Sequence, residues 1–356
     1  MDDFKIKSHK LIYHVDRVNQ WLKGENIYPI YMEVSPTSAC NHRCVFCAFD
    51  YRDYKPRFLE KERFKDILFE LGRLGIKSIM YAGEGEPFLH KDMAEIIKHT
   101  KNSGIDVAVA SNGVLFREDI AKECLPAMTW IRFSVNAGNN ESHKKIHNGG
   151  ENGFNKMVEN ISYAVELRKK NNYSCAIGAQ FLLIPENKDE VSATANLFKK
   201  IGVDYLTIKP FIKHPLSRIN ANINFDYDDF DLDAIGRDLE KISDDNFKVI
   251  FRANIFKKLK EERRYGECLG LPFFAEIASD GNVYTCGPYL GEEKFCYGNI
   301  YQNSFKEIWE GEKRKEVLKM VSSDLDVKKC MKCCRLDEAN NYLWDLKNLP
   351  PHVNFI

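Results

Sequence analysis

The sequence has no surplus of charge of either sign. Lysine plus arginine and aspartate plus glutamate each number 52 in 356 residues, so the formal net charge is zero. That balance removes the electrostatic case for a polyanionic partner, and no nucleic acid is expected. Long apolar runs are also missing. A stretch such as 181–184 (FLLI) is far too short to cross a bilayer. The opening MDDFKIKSHK has early acids and no apolar segment, so no export signal is read there. A soluble, cytoplasmic chain without a membrane partner is expected. Internal repeats and low-complexity tracts are absent as well. At 44% hydrophobic residues the chain can still bury a substantial core, as one large domain plus a smaller one or as two of ordinary size.

Cysteine, by contrast, is plentiful. Eleven cysteines in a long chain without an export signal indicate metal or redox chemistry rather than disulfides. Cys124 and Cys175 stand alone among apolar residues and read as buried hydrophobes. The other nine form two groups, one towards each end. In the first, SACNHRCVFCAF (38–49), Cys40, Cys44 and Cys47 have no fourth ligand beside them. A structural metal site closes its shell with protein ligands, whereas a reactive one leaves a position open. Thiolates at CxxxCxxC spacing suit three irons of a 4Fe–4S cluster with the fourth left free. A zinc knuckle with a distant ligand is the competing reading.

The region between alternates short β-branched runs with amphipathic stretches. Strands are expected at 30–35, 77–82, 106–110, 131–136, 174–184 and 205–209. Helices are expected at 59–73, 92–102, 120–124, 153–170 and 188–201. Six such units imply parallel strands with right-handed crossovers, short of the eight in a closed barrel. The expected fold is therefore α/β, a partial (β/α)6 TIM-like barrel open along one side, with its active face at the strand C-termini. Residues 213–228 read as a linker. A helix at 230–243, a strand at 248–252 and the second cysteine group follow. The division is an N-terminal extension (1–28), a barrel core (29–228) and a small cysteine-rich C-terminal domain (229–356).

CNHRCVFC, with Phe46 just before the third cysteine, resembles the signature of the radical SAM superfamily. The resemblance implies that the amino and carboxylate groups of S-adenosylmethionine chelate the open iron. YAGEGEP (81–87) is similar to that family's Gly-Gly-Glu-Pro segment, which holds the methionine amino group. On this basis Gly83, Glu84, Gly85 and Glu86 are expected at the cofactor, glycine because it lets the backbone approach a ligand closely. Glu84 stands where the family has its first glycine and would add a carboxylate beside the cluster. Ser111 and Asn112 after the third strand are similar to the family's residues around the methionine moiety. Ser134 and Asn136 after the fourth match positions at the ribose or carboxylate, and alternation puts them on one face. Each segment alone also reads as an ordinary turn. Their order at successive strand ends joins them. The implied chemistry is one-electron cleavage of the cofactor to a 5′-deoxyadenosyl radical, which takes a hydrogen atom from substrate.

The second group holds Cys268, Cys286, Cys296, Cys330, Cys333 and Cys334. It resembles the SPASM/twitch auxiliary-cluster domains of the same superfamily but has too few cysteines for their two clusters. The resemblance implies one further 4Fe–4S cluster on Cys268, Cys286, Cys330 and Cys333. Cys334 or Cys296 is able to replace one of these, and a four-cysteine zinc site is the bland alternative. Four thiolates leave no iron open to substrate, which favours an electron conduit. Gln180, Lys209 and His214 are polar residues in or beside the later strands and are candidate substrate contacts, with Arg252 and Arg335 behind them. Lys209 is also a candidate base, or else the structural partner of a barrel carboxylate. The final YLWDLKNLPPHVNFI caps the barrel mouth or forms a surface tail. Two-electron oxidation of a small polar metabolite (a sugar, aminosugar or amino-acid derivative) is the first expectation, with flavodoxin or ferredoxin as electron donor. Maturation of a ribosomal peptide is the second, disfavoured because the stretch before the first strand is too short for a leader-binding domain. A non-catalytic electron carrier is the third.

Overall fold

A computed structural model describes residues 9–355. The first eight residues, within the stretch read as lacking an export signal, and the last residue of the tail lie outside the described residues. Ten strands form one sheet: β1 (Tyr31–Val34), β2 (Ser78–Tyr81), β3 (Asp106–Ser111), β4 (Trp130–Ser134), β5 (Ala176–Leu183), β6 (Tyr205–Pro210), β7 (Lys248–Phe251), β8 (Phe274–Ile277), β9 (Asn282–Tyr284) and β10 (Cys296–Asn299). Their order is β10-β9-β8-β1-β2-β3-β4-β5-β6-β7, with β1 to β7 parallel throughout. The sheet does not close, which agrees with the expected open barrel.

The crossovers form where the sequence periodicity places them. Helix Lys61–Arg73 buries Phe64, Ile67, Leu68 and Leu71, one stripe at 3.6-residue spacing. Each such side chain stabilises by about 1.5–3 kcal/mol on burial. The Glu60 side chain caps its start by accepting from the Glu62 and Arg63 amides. Helix Val191–Ile201 stops at Gly202, whose φ of 89° suits a left-handed C-terminal residue. Cys124 and Cys175 are buried in the main core.

Three features differ from the sequence reading. The segment 213–228 is not a free linker. Its helix Arg218–Asn222 packs on the first cysteine loop, where Ser217 and Asn220 donate to the Cys47 carbonyl and Asp50 accepts from the Arg218 and Ile219 amides. The line drawn at 228/229 does not divide the sheet either. β7 continues the barrel beyond β6, and β8 pairs in parallel with β1 at the other side. Finally, the last helix, Asp337–Lys347, does not cap the barrel mouth. Leu343 packs with Val18, Ile27, Ile30 and Phe273, beside the residues that lead into β1 and β8 and so at the opposite end of the strands.

Candidate functional site

The first cysteine loop leaves the C-terminal end of β1 and is tied down from several sides. Thr37 Oγ1 donates to the Arg57 carbonyl at 2.7 Å, and the Glu86 amide donates to the Ala39 carbonyl at 2.8 Å. The Arg43 and Val45 amides donate to the carbonyls of His147 and Ile146. Burial raises the Cys40 thiol to about 11 and the Cys47 thiol as well. Cys44 is pushed well above its ordinary value by burial, then by the nearby Cys40 and Cys47. Three buried thiols that interact in this way become thiolates readily only around a cation, so the donor set fits an iron–sulfur cluster. Phe46 packs with Ile146, Ile184 and Phe211 and meets the His147 ring edge-on at 5.9 Å.

Three histidines at this loop escaped the sequence reading. The rings of His42, His143 and His147 lie 4.6–5.2 Å apart, and His147 Nδ1 is 3.1 Å from Cys44 Sγ. Burial holds all three below the usual imidazole range, so they are neutral near pH 7. The available signal was the i, i+4 pair His143 and His147 on helix Asn140–His147, combined with the histidine inside CNHRC.

The GEGEP turn packs directly on this loop. A Cβ at Gly83 would overlap Ser35 Oγ, and one at Gly85 would overlap the Ala39 carbonyl oxygen. Close approach is therefore required by the protein's own backbone. Glu86 is buried and accepts from Ser111 Oγ and the Asn112 amide, both at 2.7 Å. Burial raises it to about 7, against the pull of those hydrogen bonds. Asn112 Nδ2 donates to Asn41 Oδ1 at 2.7 Å, and Asn136 Oδ1 accepts from the Leu182 amide at 2.7 Å. Ser134 stands opposite Gln180 in the β4–β5 register. Glu84 is buried and has partners of its own. Its oxygens accept from Arg52 Nε and the Ser279 amide, both at 2.8 Å, so the carboxylate joins the first cysteine loop to the β8–β9 hairpin.

In the second cysteine group the interacting thiols are Cys268, Cys286, Cys330 and Cys334. Burial raises Cys286 and Cys334 first, and each then feels Cys268 and Cys330. Burial raises the thiol of Cys333, expected in this set, to about 11; the charges that act on it next are Asp337, Lys258, Arg263 and Arg252, and its φ is 50°. Cys296 is apart from both, buried with Ala278, Tyr284 and Leu290. Arg263 donates to the carbonyls of Val327, Cys330 and Met331 and holds the cysteine loop.

A cavity of about 420 Å³ joins the barrel interior to this group and is lined by Gln180, Lys209 and His214 together with Cys268, Cys286, Cys330, Cys333 and Cys334. Lys209 is held down to about 7 by burial, then by Arg132, Arg335 and Arg252, against Glu33. His214 stacks on Tyr51 at 5.3 Å and is lowered by burial. Arg132 and Glu33 also line the cavity and were not singled out from sequence. Their signal was a charge within an otherwise apolar strand, as for Lys209.

Comparison with known proteins agrees with this geometry. The Radical SAM superfamily profile matches residues 34–198, and the SPASM iron–sulfur cluster-binding domain matches 268–334. The chain is 26% identical over 303 residues to the GTP 3′,8-cyclase of Aquifex aeolicus, covering 79% of this chain and 89% of that one. It is 23% identical over 302 residues to a tungsten-containing aldehyde ferredoxin oxidoreductase cofactor-modifying protein of Pyrococcus furiosus, covering 80% and 81%. In fold it is similar to Streptococcus suis SuiB bound to its precursor peptide SuiA, with TM-score 0.64 and 14% identity over 85% of this chain and 70% of that one. Among the described residues no helix is long and apolar enough to cross a membrane. The chain belongs to the radical SAM superfamily, with a C-terminal SPASM domain, and is an enzyme of the class that binds 4Fe–4S clusters and S-adenosylmethionine.

Proposed function

We propose that the chain oxidises a small polar substrate, such as a sugar, aminosugar or amino-acid derivative, by two electrons in the cavity between its cysteine groups. The observation that carries the reading is that cavity itself: one space is bordered by polar barrel side chains and by the second set of thiols. Cys40, Cys44 and Cys47 are the proposed ligands of one 4Fe–4S cluster, and Cys268, Cys286, Cys330 and Cys334 of the other. When bound, the first with S-adenosylmethionine supplies a 5′-deoxyadenosyl radical, and the second offers an acceptor for one electron. The substrate then loses a hydrogen atom, a proton and an electron. Lys209 Nζ is the proposed proton acceptor, because it borders the cavity and is neutral in an appreciable fraction near pH 7. Gln180 and His214, both bordering the cavity, are the proposed residues that orient the substrate from the barrel wall.

The volume suits a metabolite-sized ligand. GTP cyclisation, the activity named for one relative, and action on a peptide, such as the precursor peptide bound by SuiB, are the alternatives. The test uses anaerobically reconstituted protein, S-adenosylmethionine, a reductant and deuterated metabolite pools. Deuterium should enter 5′-deoxyadenosine, and a substrate-derived product lighter by two hydrogens should accumulate. Transfer with a redox-neutral product would overturn the oxidation.

A further inference from the structure

Arg132 on β4 and Lys209 on β6 both project from the barrel wall into the same cavity. In β4 the burial alternates, with Trp130, Arg132 and Ser134 on the open face and Ile131 and Phe133 packed behind. Among the described residues, no carboxylate forms a salt bridge with Arg132 or Lys209 within 4.0 Å. The Arg132 guanidinium lies over the Trp130 ring at 5.3 Å, with the Tyr205 and Tyr31 phenols and the Glu33 carboxylate around it. Arg335, which follows Cys334, borders the cavity too. Its side chain keeps 45% exposure there, and its Nε pairs with Glu33. Tyr31 Oη donates to the same Glu33 carboxylate at 2.8 Å. Glu33 is therefore engaged elsewhere, and the wall around Arg132 and Lys209 keeps an excess of positive charge.

Cations held deep in a protein without counter-charge are costly, and their persistence implies a partner supplied from outside. Arg335 pairs with Glu33, and Arg263 has Asp337 at 3.6 Å together with three backbone carbonyls. Arg132 has no such ion pair: after the Tyr205 and Tyr31 phenols the one carboxylate that acts on it is Glu33, which Arg335 and Tyr31 already engage. Its planar fork suits the paired oxygens of an oxyanion.

We propose that the substrate carries a phosphate or carboxylate group, and that the Arg132 guanidinium binds it, with Arg335 bounding the same charge. The proposal rests on the cavity being the substrate site, but not on the reaction being an oxidation. It places the anionic end of the molecule towards β4 and leaves the other end for hydrogen abstraction.

The test is binding of small anions to the reduced holoenzyme with both clusters and S-adenosylmethionine. The paramagnetic clusters shorten the relaxation times of nuclei held in the cavity, so the probes are inorganic phosphate read by ³¹P and acetate read by its methyl protons. Acetamide, the neutral isostere of acetate, is the control. Saturable relaxation of phosphate, acetate or both, absent for acetamide, is expected, and the tighter probe identifies the group. Arg132→Gln should weaken that binding about tenfold, the loss of one charge-assisted contact. Arg132→Lys should restore part of it, by keeping charge without the fork. Cluster content and uncoupled cleavage of S-adenosylmethionine establish that both variants are folded. Relaxation by either anion that never exceeds acetamide overturns the proposal, as does binding unchanged in Arg132→Gln. A redox-neutral product found with intact anion binding would overturn the oxidation alone.

Discussion

At the scale of residues, two adjacent cysteines have different fates. Cys334 interacts with Cys268, Cys286 and Cys330, whereas Cys333 faces Asp337, Lys258 and two arginines. Cys334→Ala is therefore expected to reduce iron from about eight to about four per chain, and Cys333→Ala to leave it unchanged. Anaerobic reconstitution with iron and sulfide assays separates the two. Loss of iron in Cys333→Ala alone would reverse the assignment. Lys209 gives a pH test. Its amine is held at about 7, so the base form is scarce below that pH and dominant above it. Oxidised product per 5′-deoxyadenosine should rise as pH increases through about 7. Lys209→Gln should flatten that rise and lower product about a hundredfold, while 5′-deoxyadenosine still forms. A pH profile unchanged in Lys209→Gln would exclude it as the base. The cysteines and Lys209 were legible as residues because a thiol cluster and a charge inside an apolar strand are both rare. Which of two neighbouring thiols joins Cys268, Cys286 and Cys330 was not, because spacing alone does not separate adjacent cysteines.

At the scale of elements, the strand ends work as a set because the GEGEP turn is fitted to the cysteine loop. Gly85 has no room for a Cβ against the Ala39 carbonyl, and Glu86 reaches across to Ser111 and Asn112 at the end of β3. Gly85→Ala is expected to displace the loop, at a cost of about 1–3 kcal/mol from overpacking. Thermal denaturation should show the loss. Reconstitution should then load the second cluster but not the first, visible as loss of S-adenosylmethionine cleavage with about half the iron kept. Full loading of the first cluster would contradict the fit. The crossover helices were readable from their 3.6-residue stripes, with the ends of Lys61–Arg73 and Val191–Ile201 close to expectation. The short helix Arg218–Asn222 was not, because a polar sequence held by Asp50 and the Cys47 carbonyl looks like a linker until its partners are known.

At the scale of the molecule, the C-terminal part completes the barrel sheet as well as carrying cysteines. β8 lies between β1 and β9, so removing residues beyond 228 strips the pairing partner from β1 and the parallel neighbour from β6. A chain ending at 228 is expected to be insoluble or to bind a hydrophobic dye, and a cooperative unfolding transition in that fragment would show the barrel to be independent. A second tie is the Arg52–Glu84 pair, 2.8 Å apart with the Glu84 side chain fully buried, which Asp280 extends from the hairpin. Arg52→Ala leaves that carboxylate uncompensated, and the expected loss is about 3 kcal/mol. Denaturant unfolding measures it. Arg52→Ala combined with Glu84→Gln should recover part of the loss, since the buried charge is then gone.

The sequence by itself determined the superfamily, the order of the six β/α units, the first cysteine triad and the presence of a second thiol group. Each of these rests on local spacing, whether of ligands along a loop or of apolar residues along a helix or strand, and local spacing survives without knowledge of the partners. Tertiary structure alone decided the rest: the histidines behind Cys44, the engagement of Glu84 with Arg52, and the cavity shared by Arg132, Lys209 and the second thiols. Those depend on contacts between residues up to about 200 positions apart, such as Glu84 with Ser279. Which side chains meet at such distances is set by strand order and backbone direction, and a one-dimensional pattern does not encode either.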